Sequence, residues 1–300
     1  MSENEFIKEL LSTSVNLEKN IDKISSIMKD KNVSVGVKNN IIFNCESTAS
    51  DELLSVLLQN SLTNDSVLID HEIAYKLGQL VQENSKEFLI ELMSDENKDP
   101  IVRHEAIEAL GNFENPSLIS LIEKYLDSNE SLVRETAYLA VRKLSVLTKE
   151  NKYKLNINEL DTKQVNDEFS VRSPAFITKK SFIESKSMFF KGDLWEKYTA
   201  LLRLRDLNTE ESYEVIKKGF EDKSALFRHE VAFVMGHLNN PTFIKTLESV
   251  LNNPKEEDVV RHEAAASLGC INTEESKKIL MKNLNNPIRI VRESIECAIF

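Results

Sequence analysis

Four times in this chain of 300 residues a histidine is followed at once by a glutamate and, seven residues after the histidine, by a glycine: DHEIAYKLG at 70–78, RHEAIEALG at 103–111, RHEVAFVMG at 228–236 and RHEAAASLG at 261–269. The chain holds five His and seven Gly, so this frame takes four of each. The pairs are His71-Glu72, His104-Glu105, His229-Glu230 and His262-Glu263. Four ionised carboxylates gathered in one partly buried place would repel and raise their own pKa values. Two divalent ions would neutralise them. No Cys shares the frame, which disfavours a thiolate zinc site, and an all-oxygen calcium or magnesium site has no use for four imidazoles. Two His and one carboxylate per ion, with coordination positions left open, is the ligand set of oxygen-binding non-haem iron; ligand types alone leave a dinuclear zinc or manganese hydrolase open. The Glu-x-x-His motif of ferritin-like bundles is absent, so a di-iron site here belongs to another fold.

The spacing names the elements that must hold these residues. His71 and His104 are 33 residues apart, as are His229 and His262, and an offset of 158 carries the first pair onto the second. The same offset carries Val133-Arg134-Glu135 onto Val291-Arg292-Glu293. A block of repeats has been duplicated in register. One repeat upstream of each block, GVKNNIIFN and LWEKYTALLRL keep the apolar pattern without the pair. That makes eight units, four per half, with His-Glu in the two central units of each. A unit accommodates two short helices: Asp99-Pro100 opens IVRHEAIEALG with Pro in the first turn, and Asn115-Pro116 opens SLISLIEKYL. The apolar period is helical, so the expected fold is all-α, an α-solenoid of eight short helical hairpins in two pseudo-symmetric halves. Tetratricopeptide and ankyrin signatures are missing, and Asp-Pro followed by Val-Arg is HEAT-like. The halves are read as residues 1–148 and 191–300, joined by a polar, partly mobile linker at 149–190 that lets them face each other.

Composition agrees with a folded, water-soluble chain: 41% hydrophobic, 29% charged, with few Gly, Pro and Cys. No apolar run is long enough to span a membrane and the first residues carry no leader pattern. Cys45, Cys270 and Cys297 read as buried thiols of a reducing compartment, which implies a cytoplasmic protein. The net charge of -11 disfavours nucleic acid and suits a basic partner.

On a helix, residues seven apart nearly coincide in angle, so Gly78, Gly111, Gly236 and Gly269 share the faces of their histidines. They are expected to end their helices as C′ residues, to leave a substrate a path to the site, or to do both. Arg103, Arg228 and Arg261 precede three of the pairs and are expected to brace the repeat interface, a role the first unit lacks because Asp70 stands there. Trp195 and Tyr198 are expected to pack the first helix of the second half. Ser173-Pro174 reads as a linker turn or a phosphorylation site, and His237 as a surface residue.

Together with LFRHEVAFVMG, VVRHEAAASLG and VRESIECA, the four pairs in HEAT-like repeats resemble the deoxyhypusine hydroxylase family over nearly the whole chain outside the linker. The resemblance implies a di-iron monooxygenase that uses O2 and an external reductant to hydroxylate the deoxyhypusine form of translation initiation factor five A, completing hypusine. It implies that His71, His104, His229 and His262 ligate two Fe(2+). The ligand sets would cross the halves: His71 and His104 with Glu230, His229 and His262 with Glu72. Glu105 and Glu263 would then stand beside the metals to meet the substrate amines, and neither half would make the site alone. The repeats by themselves also suit a non-catalytic scaffold that binds a protein partner; the His-Glu quartet argues against it.

Overall fold

Several of the inner helices of the hairpins open at a side-chain oxygen that accepts one of their free N–H groups. Ser34 does this for Val37, Ser66 for Ile69, Asp99 for Ile101 and Ser224 for Phe227. A computed structural model describes residues 17–45, 50–63, 66–148, 153, 155–162 and 171–300. Among them sixteen α-helices form eight hairpins. In the first half these are α1 (Ile21–Lys29) with α2 (Val35–Phe43), α3 (Asp51–Thr63) with α4 (Val67–Leu80), α5 (Lys86–Ser94) with α6 (Pro100–Gly111), and α7 (Ile119–Ile122) with α8 (Ser131–Val146). The second half repeats them: α9 (Phe182–Lys191) with α10 (Leu194–Leu207), α11 (Glu210–Lys217) with α12 (Ala225–Leu238), α13 (Ile244–Leu251) with α14 (Asp258–Ile271), and α15 (Glu274–Lys282) with α16 (Arg289–Ile299). None of the described helices is long and apolar enough to cross a membrane.

Eight units in two halves is the expected fold, with the frame set one helix earlier: each His-Glu helix closes its hairpin instead of opening it. The segment at 116–125 is also less regular than SLISLIEKYL suggests, with 3-10 turns on both sides of the single turn of α7.

The inner helices pack in chain order, α2 on α4, α4 on α6 and α6 on α8, then α10 on α12, α12 on α14 and α14 on α16. At one junction α8 meets α10 and α12, and at the other α16 meets α2 and α4, so the inner layer closes on itself. Each half has its own apolar core, built around residues such as Ile73 and Ile107 in one and Val231 and Leu268 in the other; Leu68 and Leu139 of the first half belong to the second core. Two hydrogen bonds, one buried and one partly buried, join the halves reciprocally. Ser66 Oγ donates to Glu293 Oε2, and Ser224 Oγ donates to Glu135 Oε2, both at 2.6 Å. These pairs are related by the 158-residue offset, and each ties the start of a His-bearing helix to the last inner helix of the other half.

The linker reading holds only in part. Some of 149–190 lies outside the described residues, but Phe182–Lys191 is the first helix of the second half, capped by a box between Ser181 and Glu184. Leu160 and Asp161 pair antiparallel with Thr178 and Ile177. Ala175 and Phe176 are buried in the second core, and Ser173 is buried too, with its carbonyl accepting from Lys143 Nζ at 2.7 Å, so it offers no open phosphorylation site. Trp195 and Tyr198 are buried as expected, the Tyr198 hydroxyl donating to Leu226 O at 3.0 Å. Of the three thiols only Cys45 is buried.

The arginines do brace the repeats. Arg103 Nε donates to Met93 O and Arg261 Nε to Leu251 O, while Arg228 grips Glu256 at 2.6 Å. Asp70 does not leave this role vacant: it pairs with Lys98 at 2.7 Å, the position equivalent to Glu256, so the first half carries the same ion pair with its charges exchanged.

Candidate metal centre

His71, His104, His229 and His262 lie on α4, α6, α12 and α14, and all four face the interior of the ring and are buried. Their rings form one cluster: His71 and His262 have centroids 5.1 Å apart, His229 and His262 5.4 Å, and His71 and His104, like His104 and His229, 5.7 Å. The expected convergence of the two halves is therefore present in the geometry.

The electrostatics of the cluster call for a cation. Both ring nitrogens of His71 and of His104, Nε2 of His229, Nε2 of His262 and Oε1 of Glu230 are buried without a hydrogen-bond partner. Orphaned polar atoms of this kind are costly in an interior. Burial, with the neighbouring imidazoles, pulls His104 and His262 well below the usual imidazole range, so their rings are neutral and carry lone pairs. Burial also acts on His71, but Glu105 at 3.3 Å and Glu72 at 3.5 Å outweigh it and raise its pKa. Burial lifts Glu230 above the usual carboxylate range. Glu263 approaches His229 at 3.5 Å, the counterpart of Glu105 on His71.

Among the described residues, two groups of ligand atoms lie within 4.8 Å of one another: His71, His104 and Glu105, and His71, His229 and His262. The second crosses the halves. The first places Glu105, not Glu230, with His71 and His104, whereas Glu230 is the carboxylate with an unpartnered buried oxygen. This donor set of neutral imidazoles and carboxylates, with its orphaned atoms, fits a pair of divalent metals.

A cleft of about 370 Å³ opens from the cluster, within the size range of small-ligand sites. Five carboxylates reach it: Glu72, Glu105, Glu230, Glu263 and Glu108. Glu108 lies outside the repeated pair. It stands four residues after His104, where the other units have Tyr75, Phe233 and Ala266, and all four of these positions line the cleft. Tyr75 and Phe233 meet edge to face at 6.1 Å and make an apolar wall. The signal for this ring of positions was in the sequence, as a site that carries a different residue in all four copies of the frame. Ser294 was also missed; its hydroxyl lies 3.4 Å from His262 Nδ1 and donates to Ile290 O. His237 is no plain surface residue, since it borders the cleft with its ring stacked on Phe233 at 4.2 Å.

The glycines do not act as left-handed C′ residues. None has a positive φ. The left-handed residues that follow α4, α12 and α14 are Val81, Asn239 and Asn272, each three positions after its glycine. A Cβ on Gly78 would lie 2.7 Å from the Ala109 backbone, on Gly236 2.6 Å from Ser267 Oγ, and on Gly269 2.6 Å from Ala298 Cβ. These glycines let successive inner helices approach closely. Gly236 and Gly269 also border the cleft, but Gly78 and Gly111 do not.

Residues 37–144 and 198–299 match HEAT repeats, leaving the segment between the halves unmatched. The chain is 32% identical to deoxyhypusine hydroxylase of Drosophila melanogaster over 246 residues, 81% of this chain and 78% of that one. Against deoxyhypusine hydroxylase of Danio rerio it is 32% identical over 287 residues, covering 94% and 91%. The solved structure of human deoxyhypusine hydroxylase in complex with glycerol superposes with a TM-score of 0.84 at 28% identity, covering 94% of this chain and 95% of the human one.

Proposed function

The chain belongs to the deoxyhypusine hydroxylase family, and from that premise we propose that it is a di-iron monooxygenase that hydroxylates the deoxyhypusine side chain of translation initiation factor five A to give hypusine. The observation that carries this reading is the cluster of four buried imidazoles, drawn from both halves, each with at least one ring nitrogen that makes no hydrogen bond to the protein, beside a buried and unpartnered Glu230 oxygen. On this reading His71 and His104 with Glu230 hold one iron, and His229 and His262 with Glu72 hold the other. The bound pair supplies the activation of O2, one atom of which enters a substrate C–H bond while the other leaves as water, with two electrons and two protons from an external reductant.

The remaining side chains bind and orient. Glu105 and Glu263 accept hydrogen bonds from the substrate amines, which are charge-assisted and stronger than neutral ones. Tyr75 and Phe233 hold the methylene stem and keep water from the reacting carbon. Acidic lining and a net charge of -11 favour a cationic side chain over an anionic one. The free thiols and acidic chain suit a cytoplasmic enzyme. A scaffold that only binds partners would account for the repeats but would bear the cost of orphaned buried imidazoles for no return.

Metal analysis of freshly purified protein tests the reading, with about two irons per chain expected. Incubated with the deoxyhypusine-bearing factor, O2 and reductant, the protein should add one oxygen to that factor by mass spectrometry. Stoichiometric zinc without iron, and no oxygen transfer after iron reconstitution, would overturn it.

A further inference from the structure

The pseudo-symmetry of the ring makes a comparison that neither half allows alone. A small cavity behind Glu108 is bordered by Gly111, Thr136, Leu139, Ala140 and Pro174. Moved by 158 residues, the first four become Gly269, Ser294, Cys297 and Ala298, and all of these line the large cleft. The same groove is thus built twice. In the second half it is open, and in the first it is almost filled.

What fills it is the chain's own segment 171–176. The Gln79 side chain takes hold of the Arg172 backbone from both sides: Arg172 N donates to Gln79 Oε1 at 2.8 Å, and Gln79 Nε2 donates to Arg172 O at 3.1 Å. Lys143 Nζ holds Ser173 O, Pro174 borders the same small cavity as Gly111 and Ala140, and Ala175 and Phe176 are buried. This is a peptide seated in a groove by main-chain bonds and a few apolar contacts. At the equivalent places in the second half, His237 stands for Gln79 and Cys270 for Asn112. Both border the open cleft, with Cys270 exposed.

We infer that the open groove, formed by His237, Gly269, Cys270, Cys297 and Ala298, seats an extended stretch of the substrate protein as segment 171–176 is seated in the first half, and that this segment closes the opposite entrance. The inference rests on the proposed function for the identity of that partner. A two-fold site would admit a long cationic chain from either side and in two directions. Closing one groove leaves one entrance. Charge supports the same occupant: the groove leads to five carboxylates, among them Glu108, whose pseudo-symmetric mate is the uncharged Ala266, so the two sides of the site also differ in charge.

Steady-state kinetics of the iron-loaded chain with the deoxyhypusine-bearing factor test this. Cys270→Trp, at an exposed position outside the His-Glu cluster, should raise KM for the factor at least about tenfold while leaving the iron content unchanged. Gln79→Ala, which loosens segment 171–176 instead, should leave KM within about twofold. In a second measurement on the wild-type chain, saturating factor should slow maleimide labelling of Cys270, a readout that does not depend on how a variant folds. An unchanged KM in Cys270→Trp with wild-type turnover intact, or labelling of Cys270 that ignores the factor, would overturn the groove and leave the function standing. A KM raised by Gln79→Ala alone would place the entrance on the other side. Absence of wild-type turnover would remove the function and the groove together.

Discussion

The two bonds between halves, Ser66 to Glu293 and Ser224 to Glu135, make a prediction that isolates ring closure from everything else. Ser66→Ala removes the cap on Ile69 and the bond to Glu293, among its contacts, and Glu293→Ala removes the latter together with the ion pair to Arg289 at 2.7 Å. A double-mutant cycle cancels the cap and the Arg289 pair and leaves the bond between halves. Ser66 is 3% and Glu293 7% exposed, and the oxygens are 2.6 Å apart, so solvent screens the bond little. A buried hydrogen bond to a charged group contributes roughly 1.5–3 kcal/mol, and that is the coupling expected for Ser66 with Glu293, with a smaller one for the partly buried Ser224 and Glu135. Ser66 with Glu135 serves as the control and should be additive within about 0.5 kcal/mol.

The assay is urea unfolding of the metal-free protein, because ligated metal would add its own binding free energy to every variant. Far-UV circular dichroism reports the whole ring, and the fluorescence of Trp195, the chain's only tryptophan, reports the second half from a buried site. Since solenoids can unfold unit by unit, the two signals should coincide in the wild type and separate when both bonds are removed. A coupling below about 0.5 kcal/mol for Ser66 and Glu293 would refute the claim that these bonds hold the halves together. So would an equal coupling in the control pair.

Two further outcomes follow from single residues. Burial pushes the Lys143 amine down to about 7, far below its unfolded value, so between pH about 7 and 10 the unfolded chain holds a proton that the folded chain does not. Stability should therefore rise with pH across that window, by up to about 1.4 kcal/mol per pH unit from this group, and the rise should be missing in Lys143→Met when urea midpoints are compared; parallel profiles would contradict it. Among the glycines, Gly78→Ala should cost about 1–3 kcal/mol because its Cβ meets the Ala109 backbone, whereas Gly111→Ala, with Ala140 Cβ at 3.3 Å as its nearest neighbour, should lie within about 1 kcal/mol of the wild type in thermal unfolding.

Much of this architecture was legible because repetition converts weak local signals into strong ones. The His-Glu frame, its spacing and the 158-residue offset gave eight hairpins and a convergent cluster without any tertiary information. What stayed hidden involved contacts whose partner is not local. A glycine near a helix end looks the same in one dimension whether it ends that helix or admits the next one, and here Gly78, Gly236 and Gly269 do the second. The polar run at 149–190 looked like a tether by composition; its Ala175-Phe176-Ile177 run was the sign that part of it docks, and the Ser181–Glu184 box marked the helix that follows.

Asp70 shows how more could have been read. Taken alone it is a missing arginine, and the natural reading is a brace that one unit lacks. Its mate under the offset is Arg228, and 28 residues beyond each lies the second departure: Lys98 in one half, Glu256 in the other. Two charge changes at the same separation, with opposite signs in the two copies, mark one contact maintained through divergence, and the 2.7 and 2.6 Å pairs are that contact. The same logic applies where the departures are not compensated. Glu108 against Ala266 and Gln79 against His237 have no second change to balance them, and both lie where one half is closed by the chain and the other stands open. In a duplicated ring, matched differences identify what holds the structure together, and unmatched ones identify where the two halves have taken different tasks.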